Sequence, residues 1–150
     1  MIKKIMLYML CCFSMTLAFA HGEDKKGPNG GFVRMPGAFH TELVLAGKNK
    51  IKIFLLDIDW KNPSVLKSNI QVSYSGQTST DGTCAVQKKY FLCSFPKSVN
   101  LYKKGELKIT AQREEQKGNQ VIYVLPLKLE KSVPPPVNTE EQNMDHSSHH

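Results

Sequence analysis

The feature that most constrains the fold is a series of short segments in which apolar and polar residues alternate, separated by turn-forming residues. In residues 38–46, Phe39 and Leu43 fall on one face and His40 and Glu42 on the other. Such alternation is typical of strands, and turn signals at this spacing favour an antiparallel β-sandwich. We predict about seven or eight strands and almost no helix. The predicted strands are residues 38–46, 51–60, 69–75, 83–87, 90–95, 106–112 and 120–129.

Two of these segments carry residues that bear on the edges of the sheets. Pro126 lies within residues 120–129. Because proline has no N–H to donate, this strand is predicted to lie at a sheet edge or to bulge there. Asp57 and Asp59 share the polar face of residues 51–60. They are either ligands for a hard metal ion or the polar edge of that strand, and the second interpretation is preferred.

Residues 1–20 predict a secretory signal peptide. A short apolar run follows Lys3 and Lys4 and ends in Ala-Phe-Ala at residues 18–20, which suits signal peptidase. The run is shorter than a bilayer span of about 20 residues, so a cleaved peptide is preferred over a membrane anchor. We therefore expect a periplasmic protein that begins at His21 and has no membrane anchor after cleavage.

The remainder of the chain has the length of one domain with two irregular ends. Residues 21–31 are rich in Gly, Pro, Asn and charge, and are predicted to form an exposed arm without regular structure. Residues 32–130 hold the predicted sandwich. Residues 131–150 combine a proline-rich spacer with a polar end rich in Met and His, and are predicted to form a flexible tail.

Cys84 and Cys93 follow the predicted signal peptide, whereas the other two cysteines lie within it. If the segments around them pair about a two-residue turn at residues 88–89, Cys84 faces Cys93 at a non-hydrogen-bonded position. Cross-strand Cα atoms lie about 4.5 Å apart there, which suits a disulfide bond in an exported protein. A cysteine metal site or redox pair is the alternative, but the chain has no C-x-x-C motif.

The candidate metal ligands near the fold are histidines. If His21 is the first residue, its α-amine and imidazole chelate one metal ion together, and one further imidazole gives a three-nitrogen site that suits Cu(II). His40 is the natural third donor, since it is the one histidine inside the predicted sandwich. Glu42, on the same face, is predicted to ligate axially or to orient the imidazole. The alternative is that His40 is a hydrogen-bonded surface residue and that His21 has no metal partner.

Softer ligands occur elsewhere in the chain. Met35, beside Pro36, is either a Cu(I) ligand or a residue that fills a gap in the core. A second, looser site is predicted in the tail from thioether and imidazole donors. Its residues are Met144, His146, His149 and His150. This composition suits copper, with zinc and nickel as alternatives, and a solvated tail without metal is the competing interpretation.

Other function classes receive less support. The net charge is +7, but the lysines are scattered singly and in pairs, whereas a nucleic-acid groove would need clustered arginines with aromatic residues. No serine has the His and Asp partners of a nucleophilic enzyme, and no pair of acids forms a recognisable catalytic frame. The sequence therefore predicts a protein that is not an enzyme and that does not bind nucleic acid.

Two stretches carry a resemblance to known families. Residues 21–31 (HGEDKKGPNGG) and 35–45 (MPGAFHTELVL) resemble the small β-sandwich metal-associated domains of periplasmic adaptor subunits in heavy-metal efflux systems. Those domains have a similar His/Gly-Gly opening and a His-x-Glu-Leu strand, although Asn29 stands here where they often have His. Residues 144–147 (Met-Asp-His-Ser) are similar to short units of periplasmic copper-resistance proteins. The chain also resembles the immunoglobulin-like copper carriers of the periplasm in size. These resemblances imply an immunoglobulin-like sandwich, the periplasm and copper.

Together, these patterns predict a periplasmic copper-binding carrier or buffer that delivers the metal to a heavy-metal efflux complex. The alternative is an interaction module without obligatory metal, which docks on an envelope complex through a sheet edge or its basic surface. A copper enzyme is a third interpretation. It would need a substrate-binding aromatic face, for which Trp60 alone is insufficient.

Overall fold

The computed structural model describes residues 25–129 of the 150-residue chain. The predicted signal peptide, His21 and the predicted tail site lie outside this range. Within it, ten strands form, and there is no helix long and apolar enough to cross a membrane. The strands are β1 Phe32–Arg34, β2 His40–Leu45, β3 Lys50–Leu56, β4 Asn69–Ser75, β5 Ser79–Asp81, β6 Thr83–Val86, β7 Phe91–Ser94, β8 Gly105–Arg113, β9 Gln116–Lys117 and β10 Val121–Leu125.

The strands form two antiparallel sheets that enclose one apolar core. The first sheet has the order β1-β2-β3-β7-β6, and the second has the order β10-β8-β4-β5, with β9 paired to β8. Only Gly82 separates β5 from β6, so the chain passes from the second sheet to the first at this residue. A Cβ atom there would lie 3.0 Å from the ring of Phe95, which favours glycine at the corner.

A hydrogen-bonded tyrosine links the two sheets at their β1 and β10 edges. The Tyr123 hydroxyl donates to the backbone oxygen of Thr41 at 2.9 Å and lies 2.8 Å from Thr41 Oγ1. The guanidinium of Arg34 lies over the Tyr123 ring, 5.1 Å from its centroid, and Arg34 Nε donates to the backbone oxygen of Ile122. Burial raises the pKa of Tyr123, so the hydroxyl remains protonated and available as a donor.

Replacement of Tyr123 by phenylalanine is expected to lower the free energy of unfolding by about 1–2 kcal/mol, because Thr41 loses its buried hydrogen bonds to the Tyr123 hydroxyl. Urea unfolding at neutral pH measures the change. Tyr102→Phe is the matched control, since Tyr102 is 56% exposed and its change is expected to be below about 0.5 kcal/mol. Equal unfolding midpoints for the two variants would contradict a stabilising role of the Tyr123 hydroxyl.

The predicted all-β, two-sheet architecture is confirmed, with more strands than the seven or eight predicted. The additional strands β1, β5 and β9 have three, three and two residues. Such segments are too short for alternation to reveal them. Phe39 and Leu43 lie in the core as predicted. β10 is an edge strand that ends directly before Pro126, in agreement with the missing N–H of proline.

The strand predicted over residues 51–60 ends four residues earlier, and the prediction for its last part was wrong. Asp57 Oδ1 accepts hydrogen bonds from the backbone N–H groups of Asp59 at 3.0 Å and Lys61 at 2.8 Å. The bond from Lys61 holds the pKa of Asp57 below its ordinary value. Trp60 has φ 63°, which a strand does not allow. Asp57 and Asp59 therefore lie in a tight loop instead of on a strand face.

The predicted disulfide bond between Cys84 and Cys93 is confirmed. The two residues face each other across β6 and β7, with their Cα atoms 4.0 Å apart. Gln87 N–H donates to the backbone oxygen of Tyr90 at 2.8 Å, so Lys88 and Lys89 form the two-residue turn that the sequence predicts. The cysteines therefore join neighbouring strands of the first sheet and are not free thiols.

Candidate functional site

The candidate site lies on the face of the first sheet that points away from the core. His40 and Glu42 are both on this face of β2, as the alternation predicts, opposite Leu56 and Phe54 of β3. The face is largely covered, because His40 is 4% exposed and Glu42 is 0% exposed. Residues 25–31 lie across part of it.

The carboxylate of Glu42 holds residues 25–31 against the sheet. Glu42 Oε1 accepts hydrogen bonds from the backbone N–H groups of Asn29 and Gly31, each at 2.8 Å. Glu42 Oε2 accepts a third bond from Asn29 Nδ2, also at 2.8 Å. Both oxygens of this buried carboxylate are therefore occupied by the loop, which satisfies the requirement that a buried charge be hydrogen-bonded.

Two glycines allow the loop to approach Glu42 this closely. A Cβ atom on Gly27 would lie 2.5 Å from Glu42 Cδ, and one on Gly31 would lie 2.5 Å from the backbone oxygen of Leu43. Both glycines are buried, so the described part of the arm is not exposed throughout as predicted. Exposure was predicted from the composition of the arm alone. Nothing in the neighbouring sequence indicates that the loop encloses the carboxylate of Glu42.

His40 is held by one ring nitrogen and has the other available. His40 Nδ1 lies 3.1 Å from the backbone oxygen of Asp57. Because a carbonyl oxygen only accepts, this contact assigns a proton to Nδ1, so that in the neutral imidazole the lone pair is on Nε2. Within residues 25–129, Nε2 has no hydrogen-bond partner, and since no buried side-chain nitrogen there is unsatisfied, it keeps contact with solvent. Metal-binding histidines are commonly held in this way, with one ring nitrogen donating to a backbone oxygen and the other directed at the metal.

Trp60 and Lys25 lie next to His40. The Trp60 ring meets the His40 ring edge to face, with 5.7 Å between centroids and 65° between planes. The Lys25 ammonium lies 5.0 Å from the centroid of the Trp60 ring. The left-handed conformation of Trp60 is unfavourable for a bulky residue. The backbone N–H of Trp60 donates to the backbone oxygen of Asp57 at 3.1 Å. The start of the described chain is therefore beside His40.

Lys26, the next residue, packs against the first sheet as well. Its ammonium lies 3.1 Å from the centroid of the Phe32 ring on β1. Partial burial lowers the pKa of Lys26, and the charge of Glu42 opposes that shift. Lys25 and Lys26 thus contact two different aromatic rings, which adds to the attachment of the arm that Glu42 provides.

The structure brings only some of the predicted ligands together. His40 and Glu42 share a face, but no hydrogen bond joins them within the described range. Met35 is 41% exposed and does not fill a gap in the core. Among residues 25–129, no group of three His, Cys, Asp or Glu side chains could hold a metal ion. The remaining predicted ligands lie outside that range: His21, Met144, His146, His149 and His150. A metal at His40 would need donors from there.

Sequence reasoning named Asn29 and Trp60 but missed their contacts with Glu42 and His40. Asn29 donates twice to Glu42, 13 positions away, and Trp60 contacts His40 from a loop that was predicted as strand. The Pro-Asn-Gly-Gly sequence of residues 28–31 is the signal that indicated a turn here. It did not indicate which acceptor the turn encloses.

Comparison with protein-family models found no match, and comparisons with curated proteins and with solved structures found no significant match. The candidate site is therefore interpreted from its own residues.

Proposed function

We propose that this protein is a periplasmic copper carrier or buffer that uses no catalysis. In the proposal, the α-amine and imidazole of His21 and the imidazole of His40 bind one Cu(II) ion. The tail residues Met144 to His150 form a looser second site, and the metal passes to a heavy-metal efflux complex. The immunoglobulin-like assignment of the sandwich and its likeness to efflux adaptor domains belong to the same proposal.

The observation that carries the proposal is the state of His40. Its Nδ1 is held by the backbone oxygen of Asp57, and its Nε2 has a lone pair without a partner in the described residues. Because no buried side-chain nitrogen among residues 25–129 is unsatisfied, Nε2 keeps contact with solvent and is accessible to a metal ion. An imidazole with one anchored and one available nitrogen is oriented for a ligand.

The position of Lys25 supports a shared site with His21. Lys25 contacts Trp60, which contacts His40, and His21 precedes Lys25 by four residues. Four residues span up to about 14 Å, and the proposal requires that this span bring an amino terminus at His21 to His40. Glu42 would then act indirectly, since it holds residues 27–31 on the sheet and thereby directs the preceding residues to this side of the molecule.

Copper binding at His40 is expected to quench the fluorescence of Trp60. Trp60 is the only tryptophan of the chain, and its ring lies 5.7 Å from the His40 ring, so a bound Cu(II) ion would be close enough to quench it. We expect a saturable loss of emission complete at one equivalent of Cu(II) for protein that begins at His21. His40→Ala is expected to weaken this step at least about tenfold. Thermal unfolding of the variant, without copper, checks that it remains folded.

A chain that ends at Val137 separates the two proposed sites. It lacks Met144, His146, His149 and His150 but keeps His40 and Trp60, so the quenching step should persist while a later, weaker equivalent disappears from calorimetry. If truncation abolished the quenching and His40→Ala did not, the site near the fold would be refuted and the tail would be the binder. If no variant bound more tightly than a short control peptide, the carrier function itself would be refuted.

A further inference from the structure

Five exposed lysines gather at the end of the sandwich opposite His40. Two come from the turn between β2 and β3 and its border, and three from the chain between β7 and β8. They are Lys48, Lys50, Lys97, Lys103 and Lys104. The position follows from the strand register, because Lys50 pairs with Ser94 at one end of β3 and His40 pairs with Leu56 at the other. We call this group of five the lysine-rich end.

Backbone hydrogen bonds hold the contributing loops together. Leu101 N–H donates to the backbone oxygen of Lys48 at 2.8 Å, and Phe95 N–H donates to that of Asn49 at 2.9 Å. The side chain of Asn49 also donates to the backbone oxygen of Phe95 at 2.6 Å. The lysines are therefore arranged by the folded structure, although they are dispersed along the sequence.

Within residues 25–129, few acids lie near these lysines. Residues 46–50 and 95–105 contain no Asp or Glu. Within residues 25–129, the ion pairs between side chains involve Lys67 and Arg113, which are not at this end. The acids nearest to this end are Glu106, at the start of β8, and Asp81, beside Gly82, which packs against Phe95. Among residues 25–129, the five lysines therefore outnumber the acids at this end, and the described surface carries net positive charge.

An exposed tyrosine lies within the same surface. Tyr102 is 56% exposed, although Leu101 before it is fully buried, and Lys103 follows it. A tyrosine with lysines beside it suits the headgroup region of a membrane, where the ring enters the boundary and the ammonium groups reach the lipid phosphates.

We propose that the lysine-rich end docks on an anionic lipid bilayer. Its lysines lie on separate loops at one end of the molecule. This arrangement fits a plane of negative charge, such as a bilayer surface, better than it fits an extended acidic peptide. Each lysine near such a surface raises the partition coefficient about fivefold (about 1 kcal/mol). Docking in this way turns the opposite end, with His40, away from the membrane and leaves the proposed metal site open to the solution.

Vesicle binding tests the proposal. Protein that begins at His21 is mixed with vesicles of phosphatidylcholine alone, or with about one third phosphatidylglycerol, and sedimented. We expect binding to the anionic vesicles only, with a steep decrease as salt is raised. The double substitution Lys103→Gln and Lys104→Gln is expected to lower the partition coefficient about 30-fold (about 2 kcal/mol). The matched control is Lys88→Gln with Lys89→Gln, an adjacent exposed pair at the far end of β7, for which we expect less than about a twofold change.

A fluorescence measurement checks the orientation on the vesicle. A quencher attached to the lipid should leave the emission of Trp60 unchanged, because Trp60 lies beside His40 at the end away from the bilayer. In Tyr102→Trp, the added tryptophan should be quenched. Quenching of Trp60 in the unsubstituted protein would overturn the proposed orientation.

Three binding results would overturn the proposal. Equal binding to both vesicle types would exclude recognition of negative charge. Equal losses in the two double variants would show that net charge acts without an oriented surface. Failure to bind anionic vesicles, together with polyglutamate binding that depends on Lys103 and Lys104, would assign the surface to an acidic protein partner. None of these measurements contains copper, so their failure is independent of the proposed metal site.

Discussion

Replacement of Glu42 by alanine is expected to lower the free energy of unfolding by about 3–4 kcal/mol. The substitution removes the acceptor of three hydrogen bonds and leaves the buried N–H of Gly31 without its partner. It also leaves a space beneath residues 27–31 that a methyl group does not fill. Denaturant unfolding followed by circular dichroism measures the change. The control is Glu106→Ala, an exposed acid on β8, which is expected to change stability by less than about 0.5 kcal/mol.

Glu42→Gln separates the charge of this residue from its shape. Rotation of the Asn29 amide lets its oxygen accept from the glutamine, so all three contacts survive as neutral hydrogen bonds. Neutral bonds are weaker than charge-assisted ones, and we expect a loss of about 1 kcal/mol. In Glu42→Ala, by contrast, trypsin should cleave faster after Lys25 and Lys26, because the arm is released. If Glu42→Ala were as stable as Glu106→Ala, the attachment of the arm by Glu42 would be refuted.

Addition of one alanine before His21 is expected to weaken binding of the first Cu(II) ion about 100-fold. The α-amine of His21 is linked to the His21 imidazole and is therefore present at a high effective concentration once the imidazole has bound the ion. The insertion moves the α-amine away from the His21 imidazole and breaks the two-nitrogen chelate, while every side chain is kept. Titration against a competing chelator gives the affinity, and the visible spectrum should shift as one nitrogen ligand is replaced by oxygen.

The matched control for this insertion is one alanine after His150, which adds the same mass at the other terminus and should leave the first site unchanged. Unchanged affinity and spectrum after the insertion before His21 would rule out the chelate. Copper binding could be weakened by loss of the chelate or by release of the arm. The insertion before His21 removes the chelate, whereas Glu42→Ala releases the arm and leaves the ligands intact.

The metal proposal and the docking proposal concern opposite ends of one rigid sandwich. His40 pairs with Leu56 at one end of β3, and Lys50 begins the same strand at the other. The copper proposal and the docking proposal therefore depend on different residues. Variants at Lys103 and Lys104 should keep the copper-dependent quenching of Trp60, and His40→Ala should keep the vesicle binding.

Much of the fold could be predicted because its signals are local. The alternation of Phe39 and Leu43 with His40 and Glu42 places them on opposite faces of β2, as observed. The two-residue turn and cysteine spacing gave the disulfide and its register. The end of β3 was missed, since the Asp57 loop depends on hydrogen bonds to side-chain oxygens, which override the apolar pattern.

The candidate site could be predicted only in part for the same reason. The sequence spacing placed His40 and Glu42 on one face, but it did not predict which residues cover that face. Asn29 reaches Glu42 across 13 positions, and the Asp57 backbone oxygen reaches His40 across 17. A glutamate that was expected beside a metal has both carboxylate oxygens in hydrogen bonds to the arm. No local pattern contains that information.

By itself, the sequence determined the all-β class, most of the strands and the cysteine pair, because alternation, turn chemistry and short loops act between neighbouring residues. Only the tertiary structure decided that the arm encloses Glu42, that one nitrogen of His40 has no hydrogen-bond partner among residues 25–129, and that lysines from separate loops form one surface. These properties arise from contacts between residues distant in the chain. Such contacts are selected by the packing of the whole sandwich, and no segment encodes them alone.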